Sequence, residues 1–271
     1  MSASSTLHVQ QAKALAHDFS QRRHPRAFTG LDRIEVFDAL DQRIDHPHLI
    51  YQGKAGLCGP AAILYNYALH DRVGYTKLII DLFEHGRGML RHWKLTPSRA
   101  LKDHVFSHKA HVTPADWMAL ASIRDCENWF FDYQTATNEG STPHSEMVDI
   151  FKKAGFGHIK DRCIDFTHAH QNLSHHRQQH LIHLLREAGE LRGKGYSVAL
   201  LIDAGILKDK QPSGRHNHWV ALASSVHVVG DSCNLKVFTW GKIRFLNNPP
   251  GVPCTLAELV DYFYGYVACK Y

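Results

Sequence analysis

The chain has 271 residues, 44% of them hydrophobic, enough to bury a substantial core without disulfides or metal. Its formal charge of +5 comes from Lys and Arg residues scattered along the chain rather than gathered into a stripe, which argues against nucleic acid as a partner. Six widely spaced cysteines with no C-x-x-C pair point to thiols in a reducing compartment, and no apolar run reaches the ~20 residues of a membrane span.

Residues 1–40 are expected to form a leader or accessory segment. Its start, MSASSTLHVQQAKALAHDF, has no apolar core of the secretory kind, and Asp18 is the only acid before Gly30. The first half then reads helical. The apolar pattern from Ala61 to Leu69 continues directly from Cys58, and a second helix over Tyr75 to Glu84 stops at Gly86 and Gly88. Thr113-Pro114-Ala115-Asp116 predicts an N-cap, a first-turn proline and a capping-box acid for a helix reaching about Cys126. Thr142-Pro143 opens another, with Gly155 as its stop, and Ser174 caps a helix whose face carries Leu181, Leu184, Leu185, Ala188 and Leu191 before Gly193 and Gly195.

The second half changes to strand patterns. Tyr196 to Ile202, His218 to Val229 and Lys236 to Phe245 read as three strands, with Gly230-Asp231-Ser232 turning between the last two. Thr255 to Phe263 reads as a short helix and Tyr264 to Cys269 as a closing strand. The expected class is α+β. Residues 41–271 form one domain with a helical lobe over about 50–194 and an antiparallel β-rich lobe over about 195–271.

The chemistry concentrates in two places. Gln52-Gly53-Lys54-Ala55-Gly56-Leu57-Cys58-Gly59-Pro60 puts a thiol at the start of a helix, where the macrodipole and first-turn N–H groups favour a thiolate. Asn217-His218-Trp219-Val220-Ala221-Leu222 puts an imidazole at the mouth of a buried strand. Sulfur attack on an amide needs both, because the imidazole holds the ion pair and later protonates the leaving amine. The oxyanion that forms needs donors, which the Cys58 N–H and the Gln52 carboxamide would supply. His216 is the rival base.

Gln52, Cys58-Gly59, Asn217-His218 and Trp240-Gly241, in this order, resemble the papain-like cysteine peptidase superfamily. The resemblance implies a helical lobe, a β-barrel-like lobe and a site in the cleft between them. It also implies Cys58 as nucleophile, His218 as base and Gln52 at the oxyanion. One position departs from the pattern: no Asn or Asp stands two residues ahead of Trp240 to orient the imidazole. Thr239 takes that role if the strand carries a one-residue deletion, although strict alternation sets it on the face opposite Phe238 and Trp240. Asp203, Asp231, Asn234 and a backbone carbonyl are the alternatives.

The expected activity is thiol-dependent amide hydrolysis, most simply of protein or peptide substrates. The layout resembles bacterial papain-like effectors and toxins, cytoplasmic in the producer and exported by a specialised system into a target cell. An inhibitor or immunity partner, or a secretion chaperone, would accompany such a protein. Glutamine deamidases, transglutaminases and cell-wall peptide amidases share the same chemistry with another acceptor carbonyl. A non-catalytic binding module would keep the scaffold with Trp219 crowding His218. No cofactor or metal is expected. His175-His176, His180 and His183, and Cys163, His168 and His170, match no recognised ligand spacing. Trp117 and Trp129 read as core, and Gly86-Arg87-Gly88 lacks the third glycine of a nucleotide loop.

Overall fold

A computed structural model describes residues 3–53, 56–106, 112–127, 142–164, 175–208, 210–214, 218–246 and 254–271. His216, Asn217, Trp129, His168, His170 and Ser174, named above, lie outside them. The chain divides into two compact units, residues 1–140 with 153–155, and residues 141–152 with 156–271. The boundary falls near residue 140 rather than the expected 194. The helices beginning at His144 and His175 therefore belong with the strands, not with the first helical group.

The first unit is built on α1 (Ala3–Gln21), α2 (Arg33–Asp45), α3 (Cys58–His70), α4 (Arg72–His85) and, after a small hairpin of β1 (Gly88–Leu90) and β2 (Trp93–Leu95), α5 (Arg99–Lys102) and α6 (Pro114–Glu127). Helix α1 is part of this core rather than a detached leader, burying Ala12, Ala16 and Phe19 from one helical face. The Phe19 ring meets Phe83 of α4 edge-on, with centroids 5.4 Å apart, and the Arg33 guanidinium lies 4.6 Å over Phe19. Arg33 also donates to the buried Glu84 carboxylate at 2.7 Å, and Arg22 reaches its other oxygen at 3.2 Å. Helix α3 is buried on nearly every side from Cys58 to Ala68, so it is the central helix of the unit. Helix α4 ends as predicted, at a left-handed Gly86 whose N–H donates to Leu82 O at 2.9 Å.

The second unit begins with α7 (His144–Lys153), β3 (Gly157–Asp161), α8 (His175–Gly193), β4 (Ser197–Ile202) and a 3₁₀ turn over Ala204–Leu207. It continues through β5 (His218–Leu222), β6 (His227–Val229), β7 (Ser232–Asn234), β8 (Lys236–Thr239), β9 (Lys242–Phe245), β10 (Cys254–Thr255), α9 (Leu256–Val260) and β11 (Phe263–Lys270). Six strands pair antiparallel in the order β3-β11-β4-β5-β8-β9, and β10-β7-β6 form a separate small sheet. Helix α8 lays Leu181, Leu184, Leu185 and Ala188 against one cluster with Val198, Leu200, Ile202, Val220, Leu222 and Val237. Those strand residues alternate along β4, β5 and β8, as a face packed on a helix requires.

The strand pattern departs from expectation in three ways. His218 to Val229 is two strands, β5 and β6, in different sheets. Lys236 to Phe245 is a hairpin, because Trp240 and Gly241 both adopt positive φ (46° and 71°), the signature of a two-residue turn whose twist suits antiparallel strands. The Gly230-Asp231 turn accordingly joins β6 to β7 within the small sheet. The barrel implied by the resemblance is also absent among the described residues: β3 and β9 are the two edges of an open sheet, and closure would need them paired.

Candidate active site

Cys58 is the first residue of α3, and only 3% of its surface is exposed. Leu57 stands at the cap position, and the first intrahelical bond runs from Ala61 N–H to Leu57 O at 2.9 Å. Pro60 has no N–H to lose in that first turn, and its fixed φ suits the position. An apolar cap is weaker than Ser, Thr or Asp by about 1 kcal/mol, so this start is held by packing rather than by a side-chain cap.

Gln52 is 5% exposed, and the next residue, Gly53, has φ 63°, a left-handed turn that favours glycine. The approach to Gln52 is anchored by a buried ion pair. Arg43 of α2 makes a forked contact with Asp116 of α6, Nη2 to Oδ2 at 2.7 Å and Nε to Oδ1 at 3.1 Å. Arg43 Nη2 also donates to Leu49 O at 3.1 Å, and the Tyr51 N–H donates to Asp116 Oδ2 at 3.0 Å. Asp116 was expected to cap its own helix. Thr113 Oγ1 does accept from Asp116 N–H at 3.4 Å, but the carboxylate is spent on Arg43 and on the backbone beside Gln52. Residues 43 and 116 lie in separate helices, so no local pattern could reveal the pair.

In the second unit, His218 opens β5 with 4% of its surface exposed. Its Nε2 shares a 2.7 Å hydrogen bond with Thr239 Oγ1, and its ring stacks on Trp240 with centroids 4.7 Å apart and planes 29° apart. The register explains the first contact. Leu222 pairs with Val237, so Thr239, two residues on, shares the face of Val220 and His218. Trp240 would fall on the opposite face in a continuing strand, but its left-handed backbone turns the indole back over the imidazole. Thr239 therefore reaches His218 from the face that the two share.

Of the other candidate orienters, Asp203 is engaged elsewhere. Asp203 accepts from Gly205 N–H at 2.7 Å, and from Ser213 through its N–H at 2.5 Å and its Oγ at 2.6 Å. Asp231 and Asn234 lie in the turn and strand of the small sheet, which does not include β5. Lys208 is a neighbour that sequence reasoning missed. Its ammonium lies 5.5 Å over the Trp240 ring. Burial, with Lys208 adding to it, pushes the His218 pKa down to about 3, so the imidazole is neutral at physiological pH.

Among the described residues, which include all six cysteines, no disulfide forms. Burial raises the thiol pKa of Cys126 to about 11 and of Cys233 to about 12, and it raises Cys163 and Cys254 as well. Those shifts disfavour the thiolate form of all four at neutral pH. Comparison with family models, curated proteins and solved structures finds no match to this chain. Among the described residues, no helix is long and apolar enough to cross a membrane.

Proposed function

We propose that the chain is a thiol-dependent amide hydrolase acting on protein or peptide substrates, with Cys58 as nucleophile, His218 as base and Thr239 as its orienting partner. The observation that carries this reading is the treatment of His218. A buried imidazole bonded to Thr239 and stacked on Trp240 has its pKa strongly lowered, and groups perturbed in this way cluster at functional sites. In the Nε2–H tautomer, donation to Thr239 makes Nδ1 the basic nitrogen.

The reaction proceeds in two halves. The reading requires the Cys58 proton to pass to His218 Nδ1 as sulfur attacks the carbonyl carbon, with the Cys58 N–H and the Gln52 carboxamide as donors to the oxyanion. Collapse of the tetrahedral intermediate breaks the C–N bond, and the amine departs with the imidazolium proton. Water then attacks the thioester and gives a proton to His218, which returns it to the departing thiolate, and the carboxylic acid released loses its proton to solvent.

The reading requires His218 to control the reactivity of Cys58, and alkylation kinetics measure that directly. Iodoacetamide at neutral pH is expected to label Cys58 at least tenfold faster than the other five cysteines. His218→Ala should remove most of that advantage. Thr239→Val should slow labelling while Thr239→Ser restores it. A Cys58 that reacts no faster than its companions ends the nucleophile assignment. Indifference to His218→Ala ends the assignment of the base. Proteomes of cells expressing the wild type and Cys58→Ala then identify the acceptor. New termini mark peptide cleavage, and a mass gain of about one dalton at glutamine marks deamidation.

A further inference from the structure

Three donor atoms of different chemistry converge in the second unit, apart from the residues assigned to hydrolysis. His144 is the first residue of α7, Asp161 the last of β3, and Cys163 follows two residues later. His144 Nδ1 lies 2.7 Å from Asp161 Oδ2, and ligand atoms from all three residues lie within 4.8 Å of one another. The backbone fixes this placement. The Cys163 N–H donates to Asp161 Oδ1 at 3.0 Å. The N–H groups on either side, of Arg162 and Ile164, donate to Tyr266 O at 2.9 Å and Tyr264 O at 3.0 Å in β11. Gly265, with φ 106°, permits that approach, since a Cβ there would stand 2.2 Å from Arg162 O.

We propose that His144 Nδ1, an Asp161 carboxylate oxygen and Cys163 Sγ bind a divalent transition-metal ion, with zinc the best match to the donors. A mixed nitrogen, oxygen and sulfur set suits zinc and excludes calcium and magnesium, which take oxygen ligands. Zinc bonds of about 2.0–2.3 Å at tetrahedral angles set donors roughly 3.3–3.8 Å apart. Binding therefore needs the His144–Asp161 pair, now 2.7 Å apart, to open by roughly 0.6 Å, and any donor as far as 4.8 Å from its partners to draw in by roughly 1 Å. The thiol proton leaves to solvent, together with any proton held between His144 and Asp161, and the thiolate and carboxylate then balance the ion's two charges.

Two of the three donors, Asp161 and Cys163, also border a cavity of about 440 Å³ lined by Arg162, His180, His183 and Glu187 as well, which leaves open space beside them. The bound ion would tie the start of α7 to the end of β3. Two residues ahead of His144, Thr142 O accepts the Trp219 indole N–H at 2.6 Å, so the tie extends to the strand that bears His218.

The test uses full-length protein carrying Cys58→Ala, which removes the thiol assigned to hydrolysis, stripped of metal and titrated with Co²⁺ and then Zn²⁺. The expected result is one equivalent of Co²⁺ with the near-ultraviolet thiolate-to-cobalt band and the visible bands of a tetrahedral ion, displaced by Zn²⁺, together with a rise in Tm on Zn²⁺ addition. Adding Cys163→Ser should abolish the ultraviolet band, and His144→Gln should weaken binding at least tenfold. His144→Gln lies at a half-exposed helix start, so it tests the site even if the cysteine variant misfolds. Absence of stoichiometric binding would overturn the proposal, as would a thiolate band that survives Cys163→Ser or an affinity untouched by His144→Gln.

Discussion

The state of His218 is decided by its immediate surroundings. A folded-state pKa near 3 against an ordinary 6.5 means that the unfolded chain binds a proton there which the folded chain refuses. Between those values the unfolded state holds more protons, so this residue's contribution to stability is intact above about pH 6.5 and is lost as pH falls toward 3. The cost approaches about 1.4 kcal/mol per pH unit in that window. Urea unfolding at a series of pH values should show a steeper acid loss for the wild type than for His218→Gln. Equal slopes would show that the imidazole is not held neutral by burial. Lys208 contributes in the same direction but less than burial, so Lys208→Met should raise the His218 titration only modestly.

Elements carry these side chains into place through their ends and turns. Helix α3 delivers Cys58 at its first residue, and the segment before it depends on α2 and α6 through Arg43 and Asp116. Both charges are buried, and Asp116→Ala would strand the guanidinium in the core. The expected loss is about 3–5 kcal/mol, read as a fall in the denaturant midpoint. A change near zero would mean that the pair is dispensable to the 49–52 segment. The hairpin turn at Trp240-Gly241 plays the same part in the second unit, converting what alternation alone would make an outward tryptophan into the cover of His218.

At the scale of the molecule, the two compact units cut across the expected division into an early helical and a late β-rich half. Helices α7 and α8 patterned like the earlier helices, and α8 packs on the six-stranded sheet. Amphipathic spacing reports that a helix has a partner face, and says nothing of which partner. The N-terminal helix makes the same point. Its apolar residues Ala12, Ala16 and Phe19 are fully buried, and Phe19 packs on Phe83. Deleting residues 1–22 should therefore unfold the first unit or leave it insoluble, since a buried Phe alone is worth about 3–5 kcal/mol. A truncated protein with unchanged Tm would restore the reading of this segment as a separable leader.

Local chemistry was legible in the chain itself. The starts and stops at Cys58, Gly86, Pro114 and Gly155, the short helix after Thr255, and the apolar runs of β4 and β11 rest on backbone preferences and periodicity within a few residues. The helix-borne thiol and the strand-borne imidazole belong to that category. Pairing did not. The order β3-β11-β4-β5-β8-β9, the Thr239 bond to His218, the Arg43–Asp116 pair and the meeting of His144 with Asp161 and Cys163 join residues distant along the chain. Such contacts depend on register and on which faces find cover, quantities that exist only once the chain has packed.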